Sequence, residues 1–348
     1  MPGWTSNRAC WQLVTLLLLG CGSRTTTPVG ETPRAAPAPE PAMVTTPTSP
    51  SATSPPAEPH RVQSLQIVVL STSVAPQGVS EWGFAALVEA DGHRILFDTG
   101  ARPDTVKRNA KTLGIDLATV PTVVLSHHHD DHVGGLLTLR QSVLPTHPDA
   151  LATVHVGRGI FEPRRYGAKT HEVNDMLTIR PAFEATGGRF VEHAEPAMLV
   201  PGVWVTGPVP RVHPERNYSG ARRLPGGDGW IEDTLPESQS LVIETTEGLV
   251  LLSGCGHAGI VNTVTHARDA VSSAPLHAAV GGFHLHRAKP EHLRWTAAAL
   301  REAGLDVFAG AHCTGRRAIE RVGRAPGVAS SVELGVGEAF VLGADEAG

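Results

Sequence analysis

The chain contains the stretch Ser126-His127-His128-His129-Asp130-Asp131-His132-Val133-Gly134-Gly135, which decides its fold. The stretch follows Thr122–Leu125, a short apolar run of branched residues that predicts a buried strand. Because side chains alternate at the end of a strand, His127 and His129 point the same way and can bind one cation. Asp131 and His132 follow as the chain turns into a helix, and they can face a second cation. The stretch therefore predicts a two-metal site, with ions roughly 3.5–4 Å apart.

The alternative is a histidine-rich loop that binds metal only incidentally. The six titratable side chains from His127 to His132 stand directly after a buried strand. Desolvating so many polar groups without a ligand would be costly, and intramolecular partners for all of them are implausible. We therefore favour the metal site.

The N-terminal residues 1–21 predict a targeting segment of the lipoprotein type. Leu13–Leu19 is an apolar run too short to span a bilayer, and Gly20 then precedes Cys21. Leu18–Cys21 resembles a bacterial lipobox, in which Cys21 is lipidated and becomes the mature N-terminus. The alternative is an ordinary signal peptide cleaved nearby, with Cys21 incidental. Either interpretation predicts an exported protein, and the first predicts a lipid anchor in the membrane of the cell envelope.

Composition divides the remaining chain into two parts. Residues 22–61 are rich in Pro, Thr and Ser and predict a disordered linker. Residues 62–345 have the composition of a globular domain, with an irregular part within about 139–232 that predicts an insertion over the site. The net charge of −5 and the lack of a basic stripe argue against nucleic-acid binding.

A small-molecule substrate is expected, and four arginines of the irregular part could bind an anionic one. They are Arg164, Arg165, Arg211 and Arg216. For each arginine taken singly, a solvated surface position is the simpler interpretation.

Two further candidate ligands occupy loops directly after predicted strands. The runs Ser240–Glu244 and Gly248–Ser253 predict a hairpin, and the glycine-flanked His257 follows it. Residues 290–303 predict an amphipathic helix, and the strand after it ends just before His312. We predict that His257 and His312 are metal ligands, and that His312 completes the second metal position with Asp131 and His132.

His284 follows another strand, but it stands after two glycines and a phenylalanine that could serve close packing alone. A ligand, a residue that supports a ligand and a purely structural histidine are equally compatible with this pattern. The remaining histidines of the domain lack such a position and are expected to be structural or exposed.

The pattern Ser-His-x-His-x-Asp-His-x-Gly-Gly resembles the signature of the metallo-β-lactamase superfamily. Further segments between Leu65 and Leu342, among them His93–Gly100, Gly254–Asn262 and His312–Gly315, stand in one order. Together they resemble the branch that includes dihydropterin–ribofuranosylaminobenzene-phosphate synthase. The resemblance implies an α/β protein with a four-layer αββα sandwich and its metals at one edge.

The resemblance also implies roles for two more residues. Asp98, at the end of a predicted strand, is similar to an aspartate that supports the metal site from beside it. Cys255 stands where the superfamily often has an aspartate or cysteine that bridges or completes a metal; a buried, inert cysteine is the alternative. Outside the leader the only other cysteine is Cys313, so a disulfide between them is possible.

In one respect the sequence departs from the superfamily, since the usual third histidine before Ser240 is missing. Either His257 takes the place of that ligand, or the site binds one metal tightly and one weakly. Asp233 and Glu237 stand in this region and could supply oxygen ligands, although surface carboxylates are the favoured interpretation.

These features predict a metal-dependent hydrolase that uses a metal-bound hydroxide on an ester, lactone, amide or phosphoester. Zinc is expected, in two divalent ions, and iron or manganese would also suit the donors. Asp131 would bind one metal and orient the nucleophile or accept its proton, with Asp98 assisting the site. The alternatives are a transferase like the pterin synthase of the same branch and a non-catalytic metal-binding lipoprotein.

Overall fold

The structure, a computed structural model, describes residues 60–166, 170–218, 220–227 and 229–343. The predicted signal segment 1–21 with Cys21 lies outside these residues, and so does the predicted linker up to residue 59. Within the described ranges, no helix combines the length and apolarity that crossing a membrane requires.

The described residues form seventeen strands. In chain order they are β1 (Leu65–Ser71), β2 (Ala85–Ala90), β3 (His93–Phe97), β4 (Thr122–Val124), β5 (Thr153–Gly157), β6 (Arg164–Tyr166), β7 (Arg189–His193), β8 (Ala197–Val200), β9 (Val203–Val205), β10 (Ala221–Arg223), β11 (Ile231–Glu232), β12 (Ser240–Thr245), β13 (Gly248–Ser253), β14 (Leu276–Gly281), β15 (Val307–Gly310), β16 (Ser330–Glu333) and β17 (Ala339–Leu342).

Seven α-helices connect these strands in the described part of the chain. They are α1 (Thr105–Thr112), α2 (Asp130–Val133), α3 (Leu136–Val143), α4 (Met176–Glu184), α5 (Ile260–Ala270), α6 (Pro290–Ala303) and α7 (Arg316–Gly323). The helix predicted over residues 290–303 is confirmed, with a proline in its first turn and Gly304 in a left-handed conformation after its last.

The strands form two seven-stranded sheets and one small sheet. The first large sheet has the order β17-β1-β2-β3-β4-β5-β7, and the second has the order β16-β15-β14-β13-β12-β9-β8. The predicted hairpin of β12 and β13 is confirmed, with Ser240 paired to Ser253. The small sheet β11-β10-β6 lies within residues 139–232.

Alternation along the strands explains why the two large sheets form four layers with the helices. Ile95 and Phe97 belong to the core between the sheets, whereas Leu96 packs with the helices on the outer face of the first sheet. In the second sheet, Ile243 faces the core between the sheets and Val242 packs with the outer helices. The predicted four-layer αββα sandwich is confirmed.

Candidate metal centre

The candidate ligands gather at one edge because they follow the carboxyl ends of neighbouring parallel strands. The strands β3 and β4 are parallel in the first sheet, and β13, β14 and β15 are parallel in the second. Parallel strands end at the same edge of a sheet, which is where α/β proteins place their sites. The candidates are Asp98 after β3, His127–His132 after β4, Cys255 and His257 after β13, His284 after β14 and His312 after β15.

Three imidazoles converge at the first metal position. His127 Nε2 lies 2.9 Å from His129 Nδ1 and 3.2 Å from His257 Nε2. His257 thus stands beside the pair that the motif predicted. Burial lowers the pKa of His127, His129 and His257 well below the ordinary histidine value, so all three rings are neutral. Neutral imidazoles are the form that binds metal.

The hydrogen bonds of His127 and His257 leave lone pairs facing each other. The hydroxyl of Ser126 donates to Asp98 at 2.7 Å, so its oxygen accepts the Nδ1–H of His127 at 2.9 Å. The Nδ1–H of His257 donates to the carbonyl of Asn217. A neutral ring that donates through Nδ1 carries its lone pair on Nε2. The two Nε2 atoms lie 3.2 Å apart, so their lone pairs repel each other. A cation placed between them would bind both nitrogens.

Asp131, His132 and His312 form the second position. The carboxylate oxygens of Asp131 lie 3.7 Å from His132 Nε2 and 3.4 Å from His312 Nε2. Neither ring nitrogen of the buried His312 has a hydrogen-bond partner among the described residues. A buried polar group without a partner is costly, and a metal ion would satisfy it. The residues of both positions therefore fit a pair of divalent cations.

Asp98 supports this position from behind. Its Oδ2 accepts the Nδ1–H of His132 at 2.7 Å, and its Oδ1 accepts the backbone N–H of Ser126 at 2.7 Å. Burial lowers the pKa of His132, but the charges of Asp131 and Asp98 outweigh burial and raise it to about 9. A proton and a cation therefore compete for His132 Nε2.

Backbone strain marks the same edge of the structure. Of the six non-glycine residues with positive φ in the described ranges, three are Asp98, His284 and His312. Such conformations persist where the surrounding structure fixes them, and they cluster at functional sites. Gly254 is required for a different reason, since a Cβ there would lie 2.3 Å from Ser126 Oγ and 2.4 Å from Asp98 Oδ2.

Cys255 lies between the two positions. Its sulfur is 3.2 Å from His132 Nε2, and it can group with His127 and His257 or with His132 and His312 within 4.8 Å. The thiol can therefore serve either position, as the resemblance implied. Cys313 stands beside it, in keeping with the pairing that the sequence left open: both cysteines are free, with their sulfurs 3.3 Å apart.

His284 lies beside this thiol pair rather than in either position. Its backbone N–H donates to Cys313 Sγ at 3.2 Å, and its ring stands 4.8 Å from that of His257 between centroids. Its Nδ1 is buried without a hydrogen-bond partner in the described chain. A ligand atom of His284 also groups with both cysteine sulfurs within 4.8 Å. His284 can thus join the two cysteines in holding a metal.

The expectation that Asp233, Glu237 and Arg164 are surface residues was wrong. All three are buried, with 1%, 0% and 0% of their surface exposed. Arg164 Nε donates to Asp233 at 2.9 Å, and one of its terminal nitrogens donates to Glu237 at 2.7 Å. Glu237 also pairs with Nδ1 of His128 at 2.6 Å, which turns His128 away from the metal positions. The two carboxylates neutralise Arg164 and are not metal ligands.

The other three arginines also find partners within the protein. Arg165 stacks over Trp230 at 4.0 Å, Arg216 pairs with Glu232, and Arg211 donates to the backbone carbonyl of His257 at 2.6 Å. None of the four arginines is among the described residues that line the cavity at the metal centre.

Glu215 fixes the loop that carries His257. The carboxylate of Glu215 accepts the backbone N–H of Asn262 at 2.8 Å, in the first turn of α5. Burial raises the pKa of Glu215 to about 7, even though the backbone N–H groups of Asn262 and Val261 and the charge of Arg211 favour the charged form. Between its ordinary value of 4.5 and 7, the folded protein keeps a proton here that the unfolded chain releases. Stability from this group is therefore complete at low pH and is lost as the pH rises through this window.

The metal centre opens into a cavity of about 330 Å³. Its lining residues include Asp131, Cys255 and His312. Trp82 and Tyr166 also line it, and 54% and 42% of their surfaces are exposed. The ring of Trp82 packs against that of His312, with 4.8 Å between centroids. Sequence reasoning gave neither aromatic residue a role, because nothing in the pattern around them indicates a site.

Comparison with known proteins agrees with this geometry. Residues 83–164 match the family model described as the metallo-β-lactamase superfamily. Over 271 residues, the chain is 30% identical to the 7,8-dihydropterin-6-methyl-4-(β-D-ribofuranosyl)-aminobenzene-5′-phosphate synthase of Methanocaldococcus jannaschii, covering 74% of this chain and 90% of that protein.

Solved structures show the same fold. The crystal structure of Tm1679, a metal-dependent hydrolase of the β-lactamase superfamily, has a TM-score of 0.66 and 26% identity, covering 79% of this chain and 98% of that one. YhfI from Bacillus subtilis, a metallo-β-lactamase fold protein, has a TM-score of 0.53 and 11% identity, covering 80% and 99% of the two chains, and so supports the fold alone.

Fold and site together define a protein of the metallo-β-lactamase fold with clusters of His, Cys and Asp suited to divalent metals. The chain belongs to the metallo-β-lactamase superfamily.

Proposed function

We propose that this protein is a metal-dependent hydrolase that acts on an ester, lactone, amide or phosphoester of a small molecule. The main support is the arrangement of two buried imidazoles beside an open cavity: Nε2 of His127 and Nε2 of His257 face each other at 3.2 Å. A site of this kind has donors for a cation and room for a substrate.

The proposed cofactor is a pair of divalent ions. One ion would be held by His127, His129 and His257, and the other by Asp131, His132 and His312. Cys255 is available to both. The mixture of imidazole, carboxylate and thiolate donors favours zinc, while iron or manganese would rely on the nitrogen and oxygen donors. Ions bound here would act as Lewis acids that activate water and polarise a substrate oxygen.

The side chains around the ions divide the remaining work. Asp131, whose oxygens reach both His132 and His312, would orient the attacking water or accept its proton. Asp98 holds the ring of His132 through Nδ1, so that Nε2 stays directed at the metal position. Trp82 and Tyr166 offer partly exposed rings against which a substrate can pack.

The proposal can be tested by screening the zinc-reconstituted protein against phosphodiester, lactone and ester reporters. Turnover should require metal and should fall at least about a hundredfold in Asp131→Asn, because that change removes both a ligand and a proton acceptor. Asp104→Asn, which changes an exposed carboxylate directly before α1, serves as the matched control and should leave the rate unchanged. Turnover that survives chelation or the Asp131→Asn change would overturn the proposal.

A second candidate is a transferase of the pterin-synthase type, and the 30% identity to the Methanocaldococcus jannaschii synthase favours it. Hydrolysis gives products that contain an oxygen atom from water, whereas a synthase joins two substrates. Isotopically labelled water distinguishes the two, since only a hydrolase incorporates its oxygen into the product.

We also propose that the protein is exported and anchored by a lipid on Cys21. The support is the apolar run Leu13–Leu19 followed by Gly20 and Cys21. Expression in a bacterium that lipidates its exported proteins should give a membrane-bound form, and Cys21→Ser should release it. Equal membrane binding of both forms would contradict the anchor.

A further inference from the structure

Cys255 and Cys313 form a pair of buried thiols inside the metal centre. The residues are 3% and 1% exposed, and their sulfurs lie 3.3 Å apart. Both residues nevertheless line the cavity at the site, so a small molecule can reach them. One member of the pair, Cys255, groups with His127 and His257 of the first metal position and with His132 and His312 of the second.

Gly282, in the loop after β14, packs closely against both cysteine loops, which follow the neighbouring strands β13 and β15. A Cβ at Gly282 would lie 1.8 Å from the carbonyl oxygen of Gly254 and 3.1 Å from Cys313 Sγ. Closing the present 3.3 Å separation to a disulfide bond requires the sulfurs to approach by about 1.3 Å. Rotation of the side chains and a small shift of either loop can supply such a movement.

We propose that Cys255 and Cys313 are an oxidisable dithiol, and that their disulfide withdraws the shared sulfur donor from the metal centre. This inference rests on the proposed function, because it concerns control of the same site. A disulfide sulfur has no negative charge and is a poor metal ligand, whereas a thiolate binds zinc strongly. Oxidation would therefore weaken metal binding, and bound metal would in turn protect Cys255 from oxidation.

The reaction needs a small disulfide, such as oxidised glutathione, as the oxidant. One thiolate of the pair attacks the disulfide of the oxidant, forming a mixed disulfide and releasing one glutathione thiolate. The second cysteine then attacks the protein sulfur of that mixed disulfide, which forms the Cys255–Cys313 bond and releases the second glutathione. Two electrons pass from the cysteine pair to the oxidant, and the two thiol protons end on the released glutathione molecules.

The test uses the full chain, prepared metal-free or loaded with zinc and incubated with oxidised glutathione. Peptide mass mapping should show a cross-link between Cys255 and Cys313 in the metal-free protein, formed at least about tenfold more slowly in the zinc-loaded one. After oxidation and removal of free metal, reconstitution should restore at most half of the zinc that reduced protein binds. Treatment with dithiothreitol should restore the rest.

Cys313→Ser provides the matched control, because it keeps the donor Cys255 and removes only its partner. Reduced Cys313→Ser should bind as much zinc as the reduced wild type. With oxidised glutathione it can form only a mixed disulfide at Cys255, which peptide mass mapping distinguishes from the cross-link. Gly282→Ala, which keeps both cysteines but places a Cβ against Gly254 and Cys313, should form the cross-link more slowly. Circular dichroism confirms that each variant is folded.

Two results would overturn the inference while leaving the metal centre in place. One is zinc binding by both reduced proteins without any cross-link in the metal-free wild type. The other is a cross-linked protein that binds as much zinc as the reduced one. If neither reduced protein binds zinc, the proposed function fails and the inference fails with it.

Discussion

Asp98→Asn tests how the metal centre is supported, because it changes the charge and one acceptor while keeping the shape. Asp98 lies at φ 57°, a conformation that asparagine tolerates well, so the backbone has no reason to move. In the wild type, three hydrogens are directed at its two oxygens: the Nδ1–H of His132, the hydroxyl of Ser126 and the N–H of Ser126.

An asparagine has one oxygen and one NH₂ group, so at least one of these donors loses its acceptor. An unsatisfied buried donor costs about 1–3 kcal/mol, and loss of a carboxylate behind a metal-binding histidine typically weakens metal affinity 10–100-fold. The charge that fixes the proton on His132 Nδ1 is also lost. We therefore expect zinc to dissociate about 10–100-fold more readily from the second position, with the first position less affected.

The assay is a competition titration of the metal-free protein against a coloured zinc chelator at constant pH. Asp104→Asn removes an exposed carboxylate and should titrate like the wild type. Equal zinc affinities for Asp98→Asn and the wild type, in folded protein, would refute the role assigned to Asp98.

Three further changes have expected outcomes. Gly254→Ala places a Cβ 2.4 Å from Asp98 Oδ2, so zinc affinity should fall at least as far as in Asp98→Asn; an unchanged titration would contradict this. Arg164→Met removes the guanidinium that pairs with the buried Asp233 and Glu237 and should lower the free energy of unfolding by about 3–5 kcal/mol in urea, whereas a loss below about 1 kcal/mol would show that the pairs are dispensable. The free energy of unfolding of the wild type should fall by about 3 kcal/mol as the pH rises from 4.5 through 7, and Glu215→Gln should not show this fall. Urea unfolding at several pH values measures both. Parallel pH profiles for Glu215→Gln and the wild type would contradict the raised pKa.

Local pattern was enough to predict several strands, one helix and most candidate ligands, whereas the four-layer sandwich was implied by the resemblance to a family. The strand before Ser126, the hairpin of β12 and β13 and the helix Pro290–Ala303 all carry their periodicity and their end signals in adjacent residues. Polar residues that follow buried strands then meet at one edge, since parallel strands end together. His257 and His312 could be singled out for this reason alone.

Other features depend on contacts between residues far apart in sequence. Arg164 and Glu237 are 73 residues apart, and nothing beside either residue indicates that the other will neutralise it. An isolated arginine or glutamate is most often exposed, so the general rule gave the wrong environment for both. The burial follows from the fold, in which Arg164 belongs to β6 of the small sheet and Glu237 precedes β12.

The thiol pair shows the same limit in a different form. Cys255 and Cys313 each follow a strand, and sequence reasoning left a disulfide, a ligand and a free thiol open. Gly282, in the loop between theirs, packs against Gly254 and Cys313, and its lack of a Cβ has a visible purpose only when all three loops are in place. Pairwise geometry of this kind requires the three-dimensional structure.

Metal content tests the central claim most directly. Elemental analysis would compare the wild-type protein with His129→Ala and His312→Ala, each purified without a metal-chelating tag and reconstituted with zinc. We expect close to two ions per wild-type chain, with a lower content in both variants because each loses a ligand of a different position. A folded wild-type protein that takes up no metal on reconstitution would contradict the account.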